Sequence, residues 1–245
     1  MKTLSGDPGD FRVNKFGFND AIGTVKETVA SVGSLQQYIN PSTLGLASGD
    51  TGDDTGGSGA FVIRVEGVDS AWEKAEEDFT LDATSPVFGT VLFRRVFRMY
   101  TTSAGTAGHN LGLVAAGTGV FTAGKPANVL AQIDSAENQT LMAVYTIPAS
   151  YIGDLLEVLC HVSNTQVGEA SLYTRDNSVN GAWRLRNRAQ SKDGTIKFDY
   201  SKPDKDGKVR PLQLNPKTDI EVRAKSGAST ISMSAAFDID LRYAL

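Results

Sequence analysis

The side chains whose type and spacing could do chemistry fall in four places. Asp50, Asp53 and Asp54 lie in the run Ser48-Gly49-Asp50-Thr51-Gly52-Asp53-Asp54-Thr55-Gly56-Gly57-Ser58-Gly59, which invites a calcium loop. An EF-hand loop closes on a distal bidentate Glu that is missing at that spacing, so the run reads as a linker with nothing to bury. Glu73-Lys74-Ala75-Glu76-Glu77-Asp78 offers paired carboxylates of the kind that cleave glycosides. That chemistry needs one carboxyl with a raised pKa beside an ordinary one, and nothing nearby sets two such environments, so solvated strand or loop charges are the simpler account. In Gly105-Thr106-Ala107-Gly108-His109-Asn110-Leu111-Gly112 no Gly-Lys-Ser/Thr follows and no helix opens, so its glycines form turns rather than a phosphate cradle. Finally, Trp183-Arg184-Leu185-Arg186-Asn187-Arg188 would put Arg184, Arg186 and Arg188 on one face of a strand and Trp183, Leu185 and Asn187 on the other. Such a cationic stripe suits ion pairing with acidic strands of a neighbour, or contact with packaged nucleic acid.

Metal and nucleophile chemistry find no support. His109 and His161 are the only histidines and Cys160 the only cysteine, so zinc is not expected. Ser163 and Ser171 lack a nucleophile-elbow context. Cys160 has no partner for an internal disulfide, and among Leu155, Leu156, Val158, Leu159 and Val162 it reads as a small buried side chain rather than an activated thiolate. The expectation is no catalytic residue, no cofactor and no metal.

Composition narrows the partners. Lys plus Arg number 24 against 28 for Asp plus Glu, a formal charge of -4, so no global positive field holds phosphates and nucleic acid is not the expected partner. With 40% hydrophobic and 21% charged residues the chain resembles an ordinary soluble globular protein. No window reaches the ~18 apolar residues of a membrane helix. Met1-Lys2-Thr3-Leu4-Ser5-Gly6-Asp7-Pro8 lacks the apolar run of a signal peptide, so synthesis and folding in a cytoplasm, without a membrane, are expected.

The elements that would position these groups are strands. Phe61, Ile63 and Val65 alternate with Arg64 and Glu66 until Gly67, which reads as the end of the strand; Phe79 and Leu81 alternate with Asp78, Thr80 and Asp82; Val91 to Tyr100 is a further β segment. Leu111 to Ala115 and Val129 to Ile133 add two short strands. Leu156, Val158, Cys160 and Val162 share one face of another candidate, and Ile196, Phe198 and Tyr200 continue the pattern. The clearest alternation runs from Ile231 to Tyr243, one face apolar and the other polar, as in a large antiparallel sheet. Residues 1 to 48 show no sustained period, and Phe11, Phe16 and Phe18 there suit an extended arm that needs a surface to lie on; a short helix from Asn19 to Ala30 is an option. These patterns predict an all-β protein, an antiparallel β-sandwich of jelly-roll type: an N-terminal arm and glycine-rich linker over 1–59, a first β domain over 60–134 and a second over 135–245.

Several segments, taken in order, carry a family resemblance. They include Gly23-Thr24-Val25-Lys26-Glu27-Thr28-Val29, Ile63-Arg64-Val65-Glu66-Gly67-Val68-Asp69-Ser70-Ala71-Trp72, Phe79-Thr80-Leu81 and Tyr100-Thr101-Thr102-Ser103-Ala104-Gly105. Further on come Glu137 to Pro148, Lys217 to Ala224, and Phe237-Asp238. Over most of the chain from about residue 16 this resembles a family of virion structural proteins of tailed phages of marine bacteria and cyanobacteria. The family usually has a more aromatic segment where Ala30-Ser31-Val32-Gly33 stands, and the run from Tyr200 to Pro211 is more charged here. The resemblance brings no catalytic motif and implies a structural place in the particle.

The expected function is that of a capsid decoration or cement protein. It would oligomerise, with a trimer as the expected closure, and contact the major capsid protein through the arm phenylalanines Phe11, Phe16 and Phe18 and the arginines Arg184, Arg186 and Arg188. A neck or tail adaptor or fibre-base protein is the nearest alternative. A carbohydrate-binding attachment module using Trp72, Tyr100 or Trp183 is the alternative of another class.

Overall fold

The computed structural model describes residues 11–203 and 205–244. The chain forms β1 (Phe11–Ile22), β2 (Glu27–Thr28), β3 (Gly45–Ser48), β4 (Ala60–Asp69), β5 (Lys74–Thr80), β6 (Val87–Phe88), β7 (Phe93–Ala104) and β8 (Val114–Thr122). There follow β9 (Lys125–Ile133), β10 (Val144–Thr146), β11 (Tyr151–Asp176), β12 (Arg184–Asp199), β13 (Leu212–Leu214), β14 (Thr218–Ser226) and β15 (Ile231–Tyr243). A single 3-10 turn, Asn177–Val179, is the only helical element among the described residues. The protein is all-β and antiparallel, as the alternation predicted.

An eight-stranded sheet has the order β1-β15-β11-β14-β10, with β12, β13 and β2 as side pairings; β6-β3-β8-β9 and β5-β4-β7 form two smaller sheets. The long strand β11 organises the large one. Tyr151 to Ser163 pair with β15, while Gly168 to Asp176 pair with β14. Where β11 changes neighbour, its register with β12 also slips, between Val162 and Val167, and irregularities of this kind bend a strand and curl its sheet. Strands 45 to 133 build the two smaller sheets, and residues 11 to 28 with 144 to 243 build the large one. One buried apolar cluster, with Leu46, Ile63, Phe93, Met99, Ile133, Leu172 and Phe237 among its members, draws on all three sheets.

β15 shows why these residues make these elements. Ile231, Met233, Ala235, Phe237, Ile239 and Leu241 are buried and the residues between them are not. In β11 the buried set is Leu155, Val158, Cys160 and Val162, rather than the expected Leu156, because the register with β15 shifts between Leu155 and Glu157 and the extra residue resets the alternation.

Four further expectations are corrected. Residues 11–22 are no arm laid on another surface: β1 pairs with β15 from Phe11–Leu241 to Ile22–Ile231, satisfying one edge of its backbone within the same chain. Residues 1–10, the start of the expected arm and the stretch in which a signal peptide is not expected, lie outside the described residues. No helix forms over Asn19 to Ala30, where β1 continues to Ile22 and β2 follows. Gly67 does not end its strand but lies inside β4, where a Cβ would stand 1.9 Å from the Arg95 carbonyl oxygen. The glycine-rich run does bury something, since Asp53 is fully buried. Its carboxylate accepts from Ser48 Oγ (2.6 Å) and from the N–H groups of Ala60 (2.8 Å), Leu111 (2.8 Å) and Gly112 (2.9 Å), tying the loop to the start of β4 and to a second loop.

Candidate functional site

The outer face of the large sheet can be built row by row from the register. Phe16 stands beside Ala236, and Ala236 beside Leu159; in the next row Phe18 stands beside Ser234, and Ser234 beside His161. Residues directly opposite across antiparallel strands share a face, so these side chains form one patch across β1, β15 and β11. Phe16 and Phe18 are each 39% exposed and Leu159 42%, large apolar groups left partly in water on the large sheet. The rows towards the other end carry charge that is already matched: Asn14 donates to Asp238 (2.6 Å), Arg12 pairs with Asp240 (3.0 Å), Arg242 with Asp154 (3.0 Å) and Lys197 with Glu157 (2.8 Å). The result is a small apolar strip beside a neutralised polar field, the composition of an association surface rather than of a catalytic one.

Phe11 does not join that patch. It lies on the opposite face of β1, edge-on to Tyr151 at 5.3 Å, with the Lys74 ammonium 3.2 Å from its ring centroid. The three arginines are not a stripe either. The β11–β12 register slips by one between Leu172–Asn187 and Tyr173–Leu185, leaving Arg186 in a bulge. Arg188 then stands opposite Ser171 and Arg184 opposite Thr174, three residues apart and so on opposite faces of β11. Arg186 donates to Thr174 Oγ1 (2.6 Å), and Arg188 approaches Glu169 (3.3 Å), which also receives Lys26 (3.0 Å) and Lys225 (4.0 Å). Burial opposes ionisation of Glu169, but the hydrogen bond from Lys26 and the surrounding cations outweigh it and hold its carboxyl below the usual range.

A buried polar network fastens the face of β14 opposite Ile220 and Val222. Asp219 and Glu221 are fully buried. Asp219 receives Arg95 (2.9 Å), Arg175 (2.6 Å), Thr146 Oγ1 (2.8 Å) and Asn177 (2.9 Å). Glu221 receives Tyr38 Oη (3.0 Å), Arg223 (2.8 Å) and Thr28 Oγ1. The guanidinium groups also lie against rings: Arg95 against Trp72 and Tyr38, Arg175 against Tyr38 and Trp183, Arg223 against Trp183 and Tyr173, all between 4.5 and 4.9 Å. Burial, with Glu221 and Asp219 close by, pushes the Tyr38 hydroxyl well above its ordinary pKa. Trp72 and Trp183, named as sugar platforms, are thus engaged by arginines, and Tyr100 has Arg98 4.6 Å from its ring. The one sequence signal was alternation of Asp219, Glu221 and Arg223 with Ile220 and Val222, a pattern that equally describes a strand with a wet face.

A cleft of about 470 Å³ opens between β1 and the β5-β4-β7 sheet, lined by Phe11, Val13, Lys15, Glu66, Lys74, Glu76, Phe97, Arg98 and Tyr145 among others. Lys15 is only 6% exposed and donates to the Phe97 carbonyl oxygen. Loss of water, reinforced by Arg98 and partly offset by Glu66, draws its pKa down to about 7. Lys74, whose ammonium rests on the rings of Phe11 and Tyr151, is drawn down to about 8 by desolvation, against Glu66.

Among the described residues no group of three or more His, Cys, Asp or Glu side chains converges as a metal site would. In the glycine-rich loop the Asp50 and Asp54 carboxylates accept from the N–H groups of Gly52 and Gly56, both at 2.7 Å. Cys160 is fully buried, and desolvation pushes its thiol up to about 12. Among the described residues no helix is long and apolar enough to cross a membrane.

No family model matches the chain, and no curated protein matches its sequence. Among solved structures, the chain is similar to a structure of the Gt strain of infectious bursal disease virus: 14% identity, 98% of this chain and 74% of that one covered, TM-score 0.20. A crystal structure of the VP2 subviral particle of the same virus gives 14% identity, the same coverages and a TM-score of 0.22. Its T=1 particles give 13% identity over 98% of this chain and 71% of that one, with a TM-score of 0.21. Likenesses this slight do not say what the chain does.

Proposed function

We propose that this chain is a structural virion protein of a tailed phage, of the capsid decoration or cement type, stabilising the particle by self-association and by contact with coat subunits. The observation that supports it is the Phe16, Phe18 and Leu159 patch, large apolar side chains partly exposed side by side on the largest sheet of the molecule. Each aromatic ring that leaves water on association contributes about 25 cal/mol per Å² before association costs are deducted, and a closed ring of subunits, a trimer in this reading, repeats the contact at every interface. The acidic net charge and the neutralised rows beside the patch suit a protein partner rather than nucleic acid.

Labelled antibody on intact particles tests the assignment. Label spread over the shell is expected. Label confined to the neck or tail would replace decoration with an adaptor role, and particles free of label would overturn a virion role altogether.

A further inference from the structure

The cleft beside β1 stands apart from the outer face, on the other side of that strand. β1 ends the order of the large sheet: β15 pairs one of its edges, and among the described residues no strand pairs the other. An open edge presents N–H and C=O groups to an added strand. The stretch from Phe11 to Lys15 lines the cleft, so the site combines a strand, an apolar wall of Phe11, Phe97 and Tyr145, and a volume within the range that holds ligands.

Its charges are unequally served. Glu66 has Arg98 at 4.0 Å and Glu76 has Arg64 at 3.5 Å. No carboxylate among the described residues is recorded within 4 Å of the Lys15 or Lys74 ammonium, although Lys15 is buried and has spent one donor, on the Phe97 carbonyl. A buried ammonium without a counter-ion costs free energy that an incoming carboxylate would recover.

We propose that this cleft binds an extended acidic peptide of a partner protein, added as a strand along the free edge of β1 with its carboxylates on Lys15 and Lys74. Lys74 sits over Phe11, and Lys15 lies four residues further along β1, about 13 Å at the rise of a strand. Two acidic residues four apart on one face of the peptide fit that separation. Backbone pairing supplies the affinity and the two lysines the selectivity for acid. The site is independent of the assembly role of the outer face.

The test uses the intact chain and the peptide Ac-Thr-Glu-Val-Thr-Val-Glu-Thr-amide, its Gln-for-Glu counterpart, and glutarate, measured by calorimetry. The acidic peptide is expected to bind at least tenfold more tightly than the Gln peptide and than glutarate. Lys15→Met, and separately the exposed Lys74→Gln, which leaves the core untouched, are expected to weaken it at least tenfold. Phe16→Ser is expected to leave it unchanged. Equal binding of the two peptides, no binding by either, indifference to Lys74→Gln, or glutarate binding as tightly as the peptide would each overturn the proposal, the last by making the cleft a small-anion site.

Discussion

Along β14 of the large sheet the charges are buried, and across β1, β15 and β11 the aromatic rings are in water, the reverse of the usual partition. Within, Asp219 and Glu221 are fully buried, yet every charge is met by arginine, hydroxyl or amide at hydrogen-bond distance. Across β1 and β11, Phe16, Phe18 and Leu159 have strand neighbours yet stay 39 to 42% exposed. The region whose carboxylates are all met is a fastening that the fold supplies for itself. The unsatisfied one is where a second molecule has something to gain, and that separates stability from function in this protein.

The comparison is most sharply tested by Asp219→Ala. Removing that carboxylate leaves Arg95 and Arg175 facing each other in the interior, and breaking such a buried pair costs about 3 to 5 kcal/mol, read as a lower denaturant midpoint. Next is Lys15, a buried charge that, unlike Asp219, has no counter-ion within 4 Å among the described residues. Its pKa is about 7 in the folded chain against an ordinary 10.5, so between those values the unfolded chain holds more protons and stability rises with pH. Lys15→Met is therefore expected to unfold later than the parent near pH 7, by on the order of 2 to 4 kcal/mol, with the advantage fading towards pH about 10.5. A constant difference across that range would show that desolvation of the ammonium is not the cause. Asp53→Ala strands the N–H groups of Ala60, Leu111 and Gly112, and about 2 kcal/mol should be lost in the same unfolding assay. The smallest change in stability belongs to the outer face, where Phe16→Ser and Phe18→Ser should each change the unfolding free energy by no more than about 0.5 kcal/mol.

The strand grammar was legible in the sequence, and β15 shows why: every second residue from Ile231 to Leu241 is buried, so the pattern carries its own register. β1 was not legible as a strand. Its inward set includes Lys15, Gly17 and Asn19 and its outward set Phe16 and Phe18, so composition inverts the alternation that marks a strand. The arginine stripe failed for a second reason: the bulge at Arg186 shifts the alternation by one, and a bulge is set by a partner strand some fifteen residues away. Asp53, Asp219 and Glu221 were beyond reach because their partners, Leu111, Arg95 and Tyr38 among them, are distant in the chain and only the fold brings them together.

Sedimentation velocity of the parent chain and of Phe16→Ser/Phe18→Ser, over a range of concentrations, tests most directly whether the outer face is an association surface. The parent is expected to run as a closed oligomer and the double variant as a monomer, with unfolding midpoints that agree. A parent that stays monomeric at every concentration, or a double variant that assembles as the parent does, would contradict it.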